Sequence, residues 1–161
     1  MDAVFLSAGS NMGDREANLR AAFSRVEKLF EDFHASPLYQ TAPLYVKDQP
    51  PYLNAVVGGR TRMRPFALLE AIQRIEALMG RDRRGEKRRG PRTLDLDIIL
   101  YGNLVLSTPV LTIPHPGIRE RAFVIVPLLD IAPEARDPLR GDLYQGLLRS
   151  VMGQGIEPRG R

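Results

Sequence analysis

The sequence predicts an α+β sandwich of ferredoxin-like type: a mostly antiparallel sheet with helices packed on one face of it. Three observations carry the prediction. Four segments read as strands and two as amphipathic helices. Their order is strand, helix, strand, strand, helix, strand. The chain has 161 residues, 43% hydrophobic and 26% charged, which is the balance of one globular unit with a real core. A single domain over residues 1–161 is expected, with no internal repeat and no linker.

Each element has its local reason. "AVFLSAG" (3–9) reads as a buried strand running into a glycine-rich turn, "GSNMGD". Asp14 is placed to cap a helix, and Leu19, Ala22, Phe23, Val26, Leu29 and Phe30 give that helix one apolar face over about 15–31. Pro37 and Pro43 punctuate "HASPLYQTAPLY", an irregular, edge-like strand. After the loop "VKDQPP", residues 52–62 read as a further strand. Pro65 opens the second helix, Phe66, Leu69, Ile72, Ile75 and Met79 form its stripe, and Gly80 ends it. "LDLDIILY" (94–101) is the fourth strand, and "GN" turns the chain towards "LVL". The segment "LTIPHPGIRERAFVIVPLLDIAPE" mixes prolines with a short apolar stretch that reads as helical, and the tail from about 154 reads as frayed.

Composition removes several function classes. The chain has no cysteine, which excludes disulfides and thiolate metal sites. No run approaches the roughly 20 apolar residues of a membrane span. "MDAVFLSAGS" has no basic leading segment, so it does not read as a signal peptide, and a cytoplasmic protein is the expectation. The net charge is +4 and the pI about 9.8. That balance favours anionic partners without choosing among nucleotide, nucleic acid and membrane. Lysine and arginine concentrate in 81–92.

Directly after that basic segment stand Asp95 and Asp97. Side chains alternate along a strand, so Leu94, Leu96 and Ile98 share one face and the two aspartates the other. Their carboxylates stand roughly 7 Å apart along the chain. Like charges at that distance call for a cation between them. Magnesium suits them, because it takes oxygen ligands and is commonly held by one or two carboxylates plus substrate phosphates. The plainer alternative is a solvated strand face, salt-bridged to Arg81–Arg92. Arg81, Arg83 and Arg92 have the forked donors that match phosphate oxygens. Gly85 and Gly90 would let this loop close over a nucleotide, and Pro91 stiffens its exit. His115 lies between prolines, which suits either a structural role or presentation to a phosphate. Gln73 and Glu76 share a helix face that could look towards the aspartates. Tyr52 and Asn54 share a strand face, an aromatic plus an amide suited to a flat heterocycle. His34 has no assigned role.

Taken together, these segments resemble the 6-hydroxymethyl-7,8-dihydropterin pyrophosphokinase family. The resemblance runs from residue 4 to about 134. It rests on "GSNMGDREANL", "YQTAPL", "DQPPYLNAV", "IQRIEALMGR", "GPRTLDLDIILYGN", "LTIPHPGIRERAFVIVPL" and "IAPE", of which "GPRTLDLDI" is the most specific. It implies transfer of the β,γ-diphosphate of ATP to the hydroxymethyl group of the pterin, releasing AMP, in folate biosynthesis. It also implies two magnesium ions held by Asp95 and Asp97, with Arg81 and Arg92 on the transferring phosphates and Arg83 on ATP. Gln73, Glu76, His115 and Arg121 are the implied nucleotide contacts, with Leu69, Ile98, Leu111 and Thr112 around the adenosine. The pterin is expected between Tyr52 and Phe123, its edge read by Asn54 and by the backbone at Thr41, Ala42 and Leu44. Two positions depart from the pattern: Arg89 stands where some members have tryptophan, and Pro116 where some have tyrosine.

Two other readings compete. The same fold class underlies RNA-binding sheets, and 81–92 is basic. Against this, the strands lack the aromatic-rich signature of that module, and the two aspartates would repel phosphates unless metals intervene. A metal-dependent nuclease would need a third acidic ligand that the sequence does not offer. The expected partners are therefore ATP and the pterin, with no nucleic acid, no membrane and a monomeric state.

Overall fold

The computed structural model describes residues 1–42, 48–81 and 92–159. The first strand, β1 (Asp2–Ser10), leads to helix α1 (Arg15–Val26). Asp14 caps α1 as expected, its Oδ1 accepting from the Ala17 amide at 3.0 Å. The helix is shorter than its apolar pattern suggested. A 3-10 turn at Glu27–Leu29 follows, and the chain is already extended in β2 (Glu31–Ala35). Next come β3 (Tyr39–Thr41), β4 (Tyr52–Thr61), α2 (Pro65–Leu78) and β5 (Asp95–Tyr101). A small hairpin of β6 (Leu106–Ser107) and β7 (Thr112–Ile113) precedes α3 (Ala122–Ile131). A one-turn helix, α4 (Leu148–Val151), and β8 (Ile156–Pro158) complete the chain.

The main sheet has the order β5-β1-β4-β3-β8, and β2 also pairs with β4. Every pairing in it is antiparallel. β2 and β3 lie end to end along β4, with the break at Ser36 and Pro37. Ser36 bridges that break: its amide donates to the Val56 carbonyl at 2.9 Å, and its Oγ accepts from the Val56 amide at 3.0 Å. The segment read as one irregular, edge-like strand is therefore two short strands along β4, and β3 is not an edge, because β8 pairs with it on its other side.

The two faces of the sheet are covered differently. Leu19, Ala22 and Val26 of α1 and Leu68, Ile72 and Ile75 of α2 pack on Val4, Leu6, Leu53, Val57, Leu96 and Ile98. On the opposite face Val124 and Leu128 of α3 pack on Val56 and Ile99. The expectation of helices on one face alone is thus corrected. The reason is in the α3 sequence, "AFVIVPLLDI", which is apolar nearly all round and so carries no face preference. The tail is a second correction. Residues 156–158 are not frayed but add a strand, with Tyr39 opposite Pro158 and Thr41 opposite Ile156. Among the described residues no helix is long and apolar enough to cross a membrane.

Candidate active site

Register assembles the site. Residues directly opposite across antiparallel strands point to the same face. Asp95 lies opposite Gly9, Gly9 opposite Asn54, and Asn54 opposite Tyr39. Asp97 lies opposite Ser7, and Tyr52 opposite Thr41. All of these therefore stand on the α3 side of the sheet. Beside the first turn of α3, at Phe123 and Val124, a cavity of about 260 Å³ opens. It is lined by Asp95, Asp97, Arg81 and Arg92, by Thr41, Ala42, Tyr52 and Asn54, and by His115, Arg121 and Phe123, with Gln49, Ser7, Gly9, Ile99 and Val124 filling the gaps.

The floor needs a residue without a side chain. A Cβ on Gly9 would come within 2.6 Å of Asn54 Oδ1 and 3.5 Å of the Tyr52 ring. Asn54 is buried, and its Nδ2 donates to Thr41 Oγ1 at 2.6 Å. That bond orients the amide.

Charge is handled by a buried relay. Glu76 is 1% exposed and Arg81 only 4%. They form a close ion pair, and Arg81 Nη1 also donates to Asp95 Oδ1 at 2.9 Å. Glu76 Oε2 accepts from the Leu96 amide at 3.1 Å, which ties α2 to β5. Arg92 approaches Asp95 at 3.5 Å. Asp97 is pushed up to about 7, chiefly by burial and then by the charges of Asp95 and Glu76, against the pull of Arg121 and Arg81. A carboxylate in that position gains much from a cation.

His115 is held at about 4 by burial, with Arg121 pushing the same way and Asp95 opposing. Its imidazole is therefore neutral near pH 7. Nδ1 accepts from the Gly117 amide at 3.0 Å, so the ring proton sits on Nε2. The His115 amide donates to the Ile99 carbonyl at 3.0 Å, docking the segment on β5. The Ile113–Pro114 bond just before it is cis. The Arg121 guanidinium lies 5.6 Å from the centre of the Phe123 ring.

Not every expected residue reaches this cavity. Leu69, Ile98 and Leu111 belong to the core on the α1/α2 side of the sheet. Thr112 is half-buried in β7, and neither it nor Gln73 lines the cavity. Gln73 and Glu76 stand three apart on α2 but differ in burial: Gln73 is exposed, whereas Glu76 is buried against Arg81 and the Leu96 amide. Arg83 and Leu44, with Gly85, Arg89, Gly90 and Pro91, lie outside the described residues. One participant had no sequence signal beyond its place in "GSN". Asn11 is 1% exposed. Its Nδ2 donates to Gln49 Oε1 at 2.9 Å, and its Oδ1 accepts from the Arg92 amide at 2.9 Å. It thus clasps two chain segments at the rim of the cavity.

Residues 5–133 match the family model of 7,8-dihydro-6-hydroxymethylpterin-pyrophosphokinase. The chain belongs to that family. The pyrophosphokinase match contains every expected site residue and ends before α4 and β8. A 2-amino-4-hydroxy-6-hydroxymethyldihydropteridine pyrophosphokinase from Pseudomonas aeruginosa is 42% identical over 156 residues, covering 96% of this chain and 94% of that protein. The folic acid synthesis protein fol1 of Schizosaccharomyces pombe is 45% identical over 155 residues, covering 95% of this chain. This chain spans 21% of that protein's length, and the same share of its Pneumocystis carinii counterpart. Among solved structures, the HPPK-DHPS of Plasmodium falciparum superposes with a TM-score of 0.75 at 16% identity, over 98% of this chain and 47% of that one. That likeness shows a shared fold: α+β, with a mostly antiparallel sheet and helices on it.

Proposed function

We propose that the chain transfers the β,γ-diphosphate of ATP to the hydroxymethyl group of 6-hydroxymethyl-7,8-dihydropterin, giving the pterin diphosphate and AMP in folate biosynthesis. The observation that carries this reading is one cavity joining two unlike halves: aromatic walls with an oriented amide, beside paired carboxylates with arginines. Tyr52 and Phe123 take the flat faces of the pterin. Asn54, its amide set by Thr41, reads the edge, with the chain at Ala42 and Leu44. Arg81, Arg92, Arg121 and Arg83 take phosphate charge. His115, neutral and protonated on Nε2, donates to a phosphate oxygen. The hydroxymethyl oxygen attacks the β-phosphorus and releases its proton to solvent, the bond from that phosphorus to the α,β-bridging oxygen breaks, and AMP departs with that oxygen. Positioning and charge stabilisation are the protein's share of such a transfer.

Asp95 and Asp97 fit magnesium. They offer hard oxygen donors on one face, and burial together with the charges of Asp95 and Glu76 raises Asp97 to about 7. Among the described residues no cluster of three or more acidic, histidine or cysteine side chains could cage a metal alone. Magnesium, when bound, supplies neutralisation of the triphosphate, and two ions across the two carboxylates are proposed. The nucleotide contacts Gln73, Glu76, Leu69, Ile98, Leu111 and Thr112 belong to the same reading. Glu76 acts there through Arg81; Gln73 and Thr112 lie outside the main cavity, and Leu69, Ile98 and Leu111 lie in the core across the sheet from it. The strand order, with β1 and β4 central and β5 beside β1, supports the ferredoxin-like class. We further propose one domain over 1–161, acting as a cytoplasmic monomer on these two small substrates, with no nucleic acid and no membrane.

The test is AMP release with magnesium, ATP and the reduced hydroxymethylpterin, in the wild type and in Asp95→Ala/Asp97→Ala. Turnover should fall by at least about a thousandfold in the double variant. A nucleic-acid binder would instead gain polyanion affinity on losing two negative charges. A merely salt-bridged strand would lose some stability and keep its turnover. Near-normal AMP release in the double variant defeats the proposal.

A further inference from the structure

The turn from His115 to Phe123 presents three side chains to the cavity, and its Arg121 end is gripped by a residue 32 positions downstream of Ala122. Gln154 lies beyond the family match. Its Oε1 accepts from the Ala122 amide at 2.9 Å, and its Nε2 donates to the Glu120 carbonyl at 2.8 Å. These peptide groups flank Arg121 on either side. Ala122 is the first residue of α3, so its amide has no carbonyl partner within the helix. Arg121 occupies the N-cap position and its own side chain makes no capping bond. Gln154 therefore supplies the cap from 32 residues away.

The grip matters because Arg121 is tightly seated. A Cβ on Gly117 would lie 2.6 Å from both Cζ and Nε of Arg121, so the guanidinium rests directly on the Gly117 backbone. Its orientation then depends on where the 120–122 backbone is held. Gln154 is itself anchored on two sides. Its amide donates to the carbonyl of buried Val151 at 3.2 Å. Two residues on, Ile156 pairs with Thr41 of β3, another wall of the cavity.

We propose that Gln154 is a positioning residue of this active site, setting Arg121 towards the nucleotide and Phe123 towards the pterin by gripping the peptides around Arg121. The proposal rests on the functional reading above. Gln154→Met keeps the side chain's length and removes both bonds; Gln154→Glu keeps an oxygen for Ala122 and removes the donor to Glu120. Kinetic constants per folded enzyme, magnesium-dependent with ATP and the reduced pterin, give the readout. Gln154→Met should lower kcat/KM about tenfold, with the KM for ATP raised, since small misplacements of binding groups have effects of that order or more. Gln154→Glu should recover part of the loss. Wild-type kcat and KM values in Gln154→Met, even with a lowered Tm, would overturn the proposal and leave the function standing. Absence of AMP release by the wild type would overturn the function and the positioning claim together. If Gln154→Met does not fold, amide exchange of the wild type without substrates decides. Slow exchange at Ala122 supports the grip, and exchange at the unprotected rate overturns it.

Discussion

At the scale of single residues, the site depends on what is absent as much as on what is present. Gly9 leaves room for Asn54, and a methyl there would press on Oδ1 at 2.6 Å. Gly9→Ala should fold and should weaken pterin binding by about tenfold, or roughly 1.4 kcal/mol, while ATP binding stays near normal. Calorimetry with each substrate checks this; unchanged pterin affinity would free Asn54 from its role. Tyr52→Ala should weaken pterin binding by roughly 1–3 kcal/mol, taking base–aromatic stacking as the guide. His115 carries a pH signature. Its folded value of about 4 lies below the ordinary 6.5, so the unfolded chain binds the proton more readily. The neutral ring's contribution is complete above about pH 6.5 and is lost as pH falls towards 4. The loss should approach roughly 3 kcal/mol. Urea unfolding from pH 8 to 4 should show a shallower acid decline in His115→Asn. An NMR titration placing His115 near 6.5 would refute the assignment.

At the scale of elements, the link between α2 and β5 decides where Arg81 points. Glu76 joins them by accepting from the Leu96 amide and pairing with Arg81. Removing one member of a buried pair leaves the other charge without compensation, typically at a cost of 3–5 kcal/mol. Glu76→Ala should therefore destabilise by about 3 kcal/mol in urea and lower turnover, because Arg81 loses its anchor. A variant of normal stability would mean that the relay contributes little. The periodicity of α2 announced a helix with a buried stripe, and Ile72 and Ile75 are indeed buried. It gave no hint that Glu76, beside that stripe, is buried too. A charged residue next to an apolar face reads as a solvated flank until its partner is known, and the partner is five residues on, past the helix end.

At the scale of the whole molecule, the region after α3 closes back on the site. Arg119 joins the turn before Arg121 to the loop at 137–142, donating to Asp137 Oδ2 at 2.8 Å and to Asp142 Oδ2 at 2.8 Å. Asp137 is 2% exposed. Arg119→Ala should cost about 3 kcal/mol, since it strips a buried carboxylate of its cation. Asp137 keeps its bonds from the Leu139 and Arg140 amides, which places the cost at the low end. Thermal unfolding checks the figure, and a shift in Tm below about 2 °C would contradict it.

The sequence by itself determined the element order, the cap at Asp14, the common face of Asp95 and Asp97, and the family, because each is written in local spacing or in a contiguous motif. Tertiary structure alone decided that β2 and β3 share β4, that α3 covers the second face, that Glu76 lies under Arg81, and that the tail is a strand with Gln154 gripping the peptides around Arg121. Those outcomes depend on contacts between residues far apart in the chain. A uniformly apolar helix, a polar tail and a buried carboxylate carry no periodic mark of the partner that completes them.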